Sequence, residues 1–175
     1  MIEFFILNKL IFKYTKSRVP LFYKLLLVIG IITIFIAYDK TLYLLLLVLL
    51  YASIVDFMIY EIPNVTHVII LLYFFLSNNF TIDSIIGSLI ITIPLYLIYK
   101  LKSGIGFGDI KLFFCLGLLV GTIAIINIFI ISTITLCIFG IYHYIFKKDN
   151  MLAYGPHIIF AFCYFIKTAI NYNLV

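Results

Sequence analysis

Along this chain the apolar residues come in long blocks, and the polar ones gather in the short gaps between them. Blocks bounded by charges or by Gly, Pro and Asn clusters fall at about 20–37, 41–56, 66–77, 82–99, 109–122, 123–146 and 152–171. Each is a candidate helix, and a helix that crosses a bilayer needs about 20 residues at 1.5 Å rise. The third and fifth blocks are shorter than that. They extend into their polar flanks, cross a locally thinned bilayer, or include a re-entrant half-helix. The pattern predicts an all-α fold, a polytopic integral membrane protein with about six to seven transmembrane helices.

Residues 1–18 differ from the rest. Lys9, Lys13, Lys16 and Arg18 are interleaved with Phe4, Phe5, Ile6, Leu10, Ile11 and Phe12, the pattern of a basic amphipathic helix lying among lipid headgroups. The alternative is a basic tail that only sets topology. The chain thus divides into a basic amphipathic interfacial segment, 1–19, and a multi-pass membrane domain, 20–175. The opening stretch "MIEFFILNKLIFKYTKSR" lacks the short apolar core and small-residue cleavage site of a signal peptide, so it is expected to remain in the mature protein.

Composition strengthens the membrane reading. Of the 175 residues 66% are hydrophobic and 11% charged, against about 25% charged in soluble domains. A globule of this size cannot bury so much apolar surface, and the lipid bilayer is its natural solvent. Lys and Arg in short loops mark the cytoplasmic side. With the N-terminus inside, seven spans place Lys9, Lys13, Lys16, Arg18, Lys24, Lys100, Lys102, Lys111, Lys147 and Lys148 inside, and only Lys40 and Lys167 outside. A cytoplasmic N-terminus follows. The net charge of +5 then belongs to gaps between apolar runs and does not indicate a nucleic-acid partner.

Several features carry little chemistry. Cys115, Cys137 and Cys163 lie singly inside apolar runs, which supports neither a zinc site nor a disulfide framework. His67, His143 and His157 are scattered and fit interfacial or packing roles at helix ends better than a metal site. "GLLVG", Gly117 to Gly121, has the spacing of small residues that lets helices approach closely.

The seven acidic residues are more telling. Glu3, Asp39, Asp83 and Asp149 read as solvated charges at the amino end, in outer loops or beside Lys148, and Glu61, in "YEIPN", also faces water. Asp56 and Asp109 do not fit that reading. Asp56 ends "LYLLLLVLLYASIVD" and Asp109 begins "DIKLFFCLGLLVG". A carboxylate at membrane depth costs about 2.5–3.5 kcal/mol at a helix centre, less near the interface, and calls for a partner or a water cavity. Taken singly, each is also explained as an interfacial residue, Asp109 favoured by its helix dipole.

Both aspartates fall near the inner face, one at a helix C-terminus and one at a helix N-terminus. Packing of those helices brings their carboxyls face to face. Two close carboxylates do not both ionise readily, and such a pair titrates as a unit. A dyad of this kind activates water for attack on a peptide carbonyl. Gly104, Gly106 and Gly108 leave room for another chain to approach Asp109.

These residues resemble a known family. "GIGFGDIKL" is similar to the GxGD motif of the bacterial type IV prepilin peptidases, and "DFMIYEIPN" to their other motif, with Asp56, Pro63 and Asn64 in the family's spacing and Thr66 where threonine is frequent. "AYGPHIIFA", with Gly155 and Pro156, resembles the segment opening their last helix. The resemblance implies a membrane aspartyl endopeptidase in the cytoplasmic (inner) membrane. It further implies that Asp56 and Asp109 are the catalytic pair, that no metal or cofactor is needed, and that the partner is a prepilin or pseudopilin whose basic leader is removed. Gly106, Gly108, Lys111, Pro63, Asn64, Gly155 and Pro156 carry over as substrate-binding or supporting residues.

The chain departs from the family in two places. Long members carry paired CxxC motifs in a loop and also N-methylate the new terminus; here "YDKT" alone joins the first two spans, so methyltransferase activity is not expected. Where the family often has basic residues before its Pro, this chain has Ile59, Tyr60 and Glu61, and Glu61 is a candidate contact for a basic leader. Lys111 either tunes Asp109 electrostatically or anchors its helix. The competing functions are a small proton- or cation-coupled transporter using the same aspartates, and a non-catalytic membrane scaffold.

Overall fold

A computed structural model describes residues 2–15, 40–77, 80–102, 104–146 and 152–171. The expected span at about 20–37, the boundary at 19, and Lys16, Arg18, Lys24, Asp39, Lys147, Lys148 and Asp149 lie outside the described residues. The elements are α1 (Ile2–Thr15), α2 (Lys40–Ile59), α3 (Asn64–Leu76), α4 (Ile82–Lys102), α5 (Phe107–Val120), α6 (Thr122–Phe146) and α7 (Gly155–Asn171). No strand occurs among the described residues.

Among the described residues, three helices contain stretches long and apolar enough to cross a membrane: Leu42–Ile59 of α2, Ile82–Leu101 of α4 and Thr122–Ile145 of α6. α6 shows what such a helix does with its outer face. Ile123, Ile130, Ile134, Ile138 and Ile141 form an exposed stripe at helical spacing, the reverse of a soluble helix, which turns its apolar stripe inward. α3 has 13 residues and α5 has 14, so each is about 20 Å long, short of a full crossing. α5 is instead enclosed. Leu112, Phe113 and Leu116 are fully buried, and the helix packs on α3, α4 and α6.

The expected end of α2 differs in a way that matters. The apolar run of α2 continues past Asp56 through Phe57, Met58 and Ile59, so Asp56 lies about one turn inside the helix rather than at its end. α1 is helical and docks on α2 through Leu7 and Ile11, one turn apart, against Ile54 and Val55. Ile6, Leu10 and Phe12 stay exposed beside Lys9 and Lys13.

Glycine lets two helices of the bundle approach closely. A Cβ on Gly87 of α4 would stand 2.6 Å from the Gly121 carbonyl carbon and 2.8 Å from the Gly117 oxygen, so "GLLVG" lets α4 and α5 meet backbone to backbone. Gly121 then turns the chain with φ 79°, a conformation costly for residues with a Cβ. Asp83 completes the corner: its Oδ2 accepts the Thr122 N–H at 3.1 Å, and its carbonyl accepts the Thr122 hydroxyl at 3.2 Å. Asp83 is exposed, as expected of a loop charge, but it also caps α6 from another helix.

Candidate active site

The two aspartates reach the site by different local routes. α2 stops where Tyr60 adopts φ 58° and gives its N–H to the Asp56 carbonyl at 2.8 Å, a left-handed helix terminus of the kind glycine usually supplies. Buried Ile62 and Pro63 follow, and Pro63 precedes α3 in an extended conformation, its carbonyl taking the Thr66 N–H at 3.0 Å. Gly106, also extended, caps α5 and accepts the Asp109 N–H at 3.1 Å. Asp109 is therefore the third residue of its helix, where the dipole favours a carboxylate.

Both carboxylates are buried, Asp56 at 4% exposure and Asp109 at 8%, and both line a cavity of about 280 Å³. They are close enough for the charge of Asp56 to act on Asp109. Each lies against a glycine. The Gly155 N–H, at the start of α7, donates to Asp56 Oδ2 at 2.9 Å. Asp109 folds its Oδ2 back over Gly106. Oδ1 of Asp109 is buried and has no partner among the described residues.

Of the residues expected at the site, Asn64, Gly106, Gly108 and Lys111 share the cavity wall with the aspartates. Gly155 stands behind Asp56, with Pro156 beside it in the first turn of α7, where a missing N–H costs nothing. Pro63 is buried behind the loop. The space beside two of the glycines is used by the chain itself. A Cβ on Gly106 would meet Asp109 Oδ2 at 2.7 Å, and one on Gly108 would meet Ile62 Cβ at 3.3 Å. Lys111 ties helices together: its Nζ donates to Asn64 Oδ1 at 3.1 Å and lies 4.7 Å from the centre of the Phe107 ring. Glu61 is exposed, and it and Tyr60 line the cavity mouth.

One residue escaped the sequence reading. His67 is buried, and its Nε2 bonds to the Gly108 carbonyl at 3.1 Å. The available signal was its spacing: His67 follows Asn64 by three, as Lys111 follows Gly108 by three, and residues three apart share a helix face. His143 and His157 do pack as expected, their rings 5.8 Å and 5.4 Å from that of Phe139.

Fold and site together define a helical protein, with three helices among the described residues long and apolar enough to cross a membrane, that gathers two buried aspartates from distant segments into one cavity. The chain matches the type IV leader peptidase family over residues 43–141, more than half its length, and it belongs to that family. Membership makes it a protease of the leader-peptidase type. The matched stretch holds Asp56, Pro63, Asn64, Gly106, Gly108, Asp109 and Lys111 and ends before Gly155 and Pro156. No curated protein and no solved structure matches the chain.

Proposed function

We propose that this protein is a multi-pass enzyme of the cytoplasmic (inner) membrane, with its N-terminus in the cytoplasm. It acts as an aspartyl endopeptidase that removes the basic leader from type IV prepilins or pseudopilins at the cytoplasmic face. The observation that carries the reading is the shared cavity: in a member of the leader peptidase family, two buried aspartates on separate helices face the same space.

In this mechanism the dyad carries one proton. The ionised carboxylate takes a proton from water as the water oxygen bonds to the scissile carbonyl carbon, while the protonated carboxyl gives its proton to the carbonyl oxygen. Collapse breaks the C–N bond. The first carboxyl hands its proton to the leaving amine, and the second recovers one from the tetrahedral hydroxyl, which restores the starting pair. The test is co-expression with a candidate prepilin and a gel assay for leader loss. Wild type is expected to process it, while Asp56→Ala and Asp109→Ala leave it intact. Processing by both variants would rule out the dyad, and proton flux in liposomes without cleavage would favour a transporter.

A further inference from the structure

The first turn of α3 and the first turn of α5 touch at two points. Asn64 Oδ1 accepts from Lys111 Nζ at 3.1 Å, and His67 Nε2 meets the Gly108 carbonyl at 3.1 Å. Each pair of residues is three apart on its own helix, so the contacts form two rungs of one clamp. The rungs are not equal. The Asn64–Lys111 bond is exposed, where water competes and such bonds contribute little. His67 is only 6% exposed, and its bond is part-buried, so water competes for it less.

A carbonyl oxygen only accepts, so the bond requires the proton on Nε2. Nδ1 is buried and makes no hydrogen bond among the described residues. The Gly108 carbonyl belongs to the peptide unit that leads into Asp109. That unit is planar, and its other end is also held, because the Asp109 N–H donates to the Gly106 carbonyl at 3.1 Å. Pinned at both ends, the peptide plane together with the helical φ of Asp109 sets the direction in which its side chain leaves the backbone.

We infer that His67 is a positioning residue for Asp109, acting through the Gly108 carbonyl; this rests on the reading of Asp109 as half of the catalytic pair. The packing role expected of this histidine needs only its shape, whereas positioning needs a donor at Nε2.

The test compares His67→Gln, His67→Asn and His67→Leu with wild type in detergent or lipid. A glutamine amide nitrogen reaches about as far as Nε2, and an asparagine nitrogen only about as far as Nδ1. With a prepilin substrate, kcat is expected to fall on the order of 10- to 100-fold in the Asn and Leu variants. KM should stay within about threefold, and Gln should restore kcat to within about threefold of wild type. Equal rates for Gln and Asn, or losses seen only in KM, would overturn the inference.

A second readout does not depend on cleavage. Carbodiimide labelling of Asp109, read by mass spectrometry, should rise in the Asn and Leu variants and stay at the wild-type level in Gln. Labelling that is the same in all four proteins would refute the clamp, whereas a wild type that never cleaves would count against the peptidase reading alone.

Discussion

The Gly155 backbone N–H donates to Asp56 Oδ2 at 2.9 Å although 99 residues of chain separate the two. A Cβ on Gly155 would stand 2.8 Å from that oxygen and 3.3 Å from the Asp56 Cβ. Gly106 is as close to Asp109, where an added Cβ would stand 2.7 Å from Oδ2. Each aspartate thus sits at a helix N-terminus against a glycine, and a methyl group there takes the carboxylate's place.

Alanine at either glycine is therefore expected to lower kcat by about 10- to 100-fold through a displaced carboxylate. The two differ in stability. At Gly106 the obstacle is the end of a side chain, which can swing away; at Gly155 it includes the Asp56 Cβ, so α7 itself must shift, at a cost of about 1–3 kcal/mol. Cleavage kinetics and thermal unfolding of the two variants check both statements, and wild-type rates in either would contradict the first.

A dyad that must hold one proton gives a rate that falls on both sides of an optimum. At low pH both carboxyls are protonated and no base remains; at high pH both are ionised and no acid remains. The kcat profile of the reconstituted wild type should be bell-shaped. A rate that climbs with pH to a plateau would indicate a single catalytic carboxylate.

Gly117→Ala tests the packing of α4 on α5. The new Cβ would press on the Gly87 carbonyl and stand 2.8 Å from the Ser88 Cα, backbone atoms that move only if the helices separate. The expected loss is about 1–3 kcal/mol, seen as a Tm lower by roughly 3–10 °C. An unchanged Tm would show that the helices do not meet there.

Lys111→Met and Asn64→Ala remove the same exposed bond. Each should change stability by less than about 1 kcal/mol, and the double variant should cost no more than the worse single one. Additive losses in thermal unfolding would mean that the two side chains act separately.

Much of the frame was legible because charges and glycines interrupt a greasy sequence. The expected 82–99 and 123–146 became Ile82–Lys102 and Thr122–Phe146, their ends marked by Asp83, Lys100 and Gly121. Asp56 and Asp109 stood out because carboxylates are costly in apolar runs. Other features were hidden because they depend on partners far along the chain. Nothing local tells that the short α5 is enclosed by other helices, or that Gly155 serves Asp56. An imidazole looks the same in sequence whether it packs, as His143 does, or holds a carbonyl, as His67 does. The left-handed Tyr60 occupies a conformation normally marked by glycine.

The central claim is that Asp56 and Asp109 cleave together. Purified wild type, Asp56→Asn and Asp109→Asn in proteoliposomes with a prepilin substrate, followed by intact mass, test it most directly. The account predicts loss of the leader with wild type and a rate lower by at least about 10²- to 10⁴-fold in each variant, with unfolding temperatures close to wild type. Cleavage at the wild-type rate by either variant would contradict it.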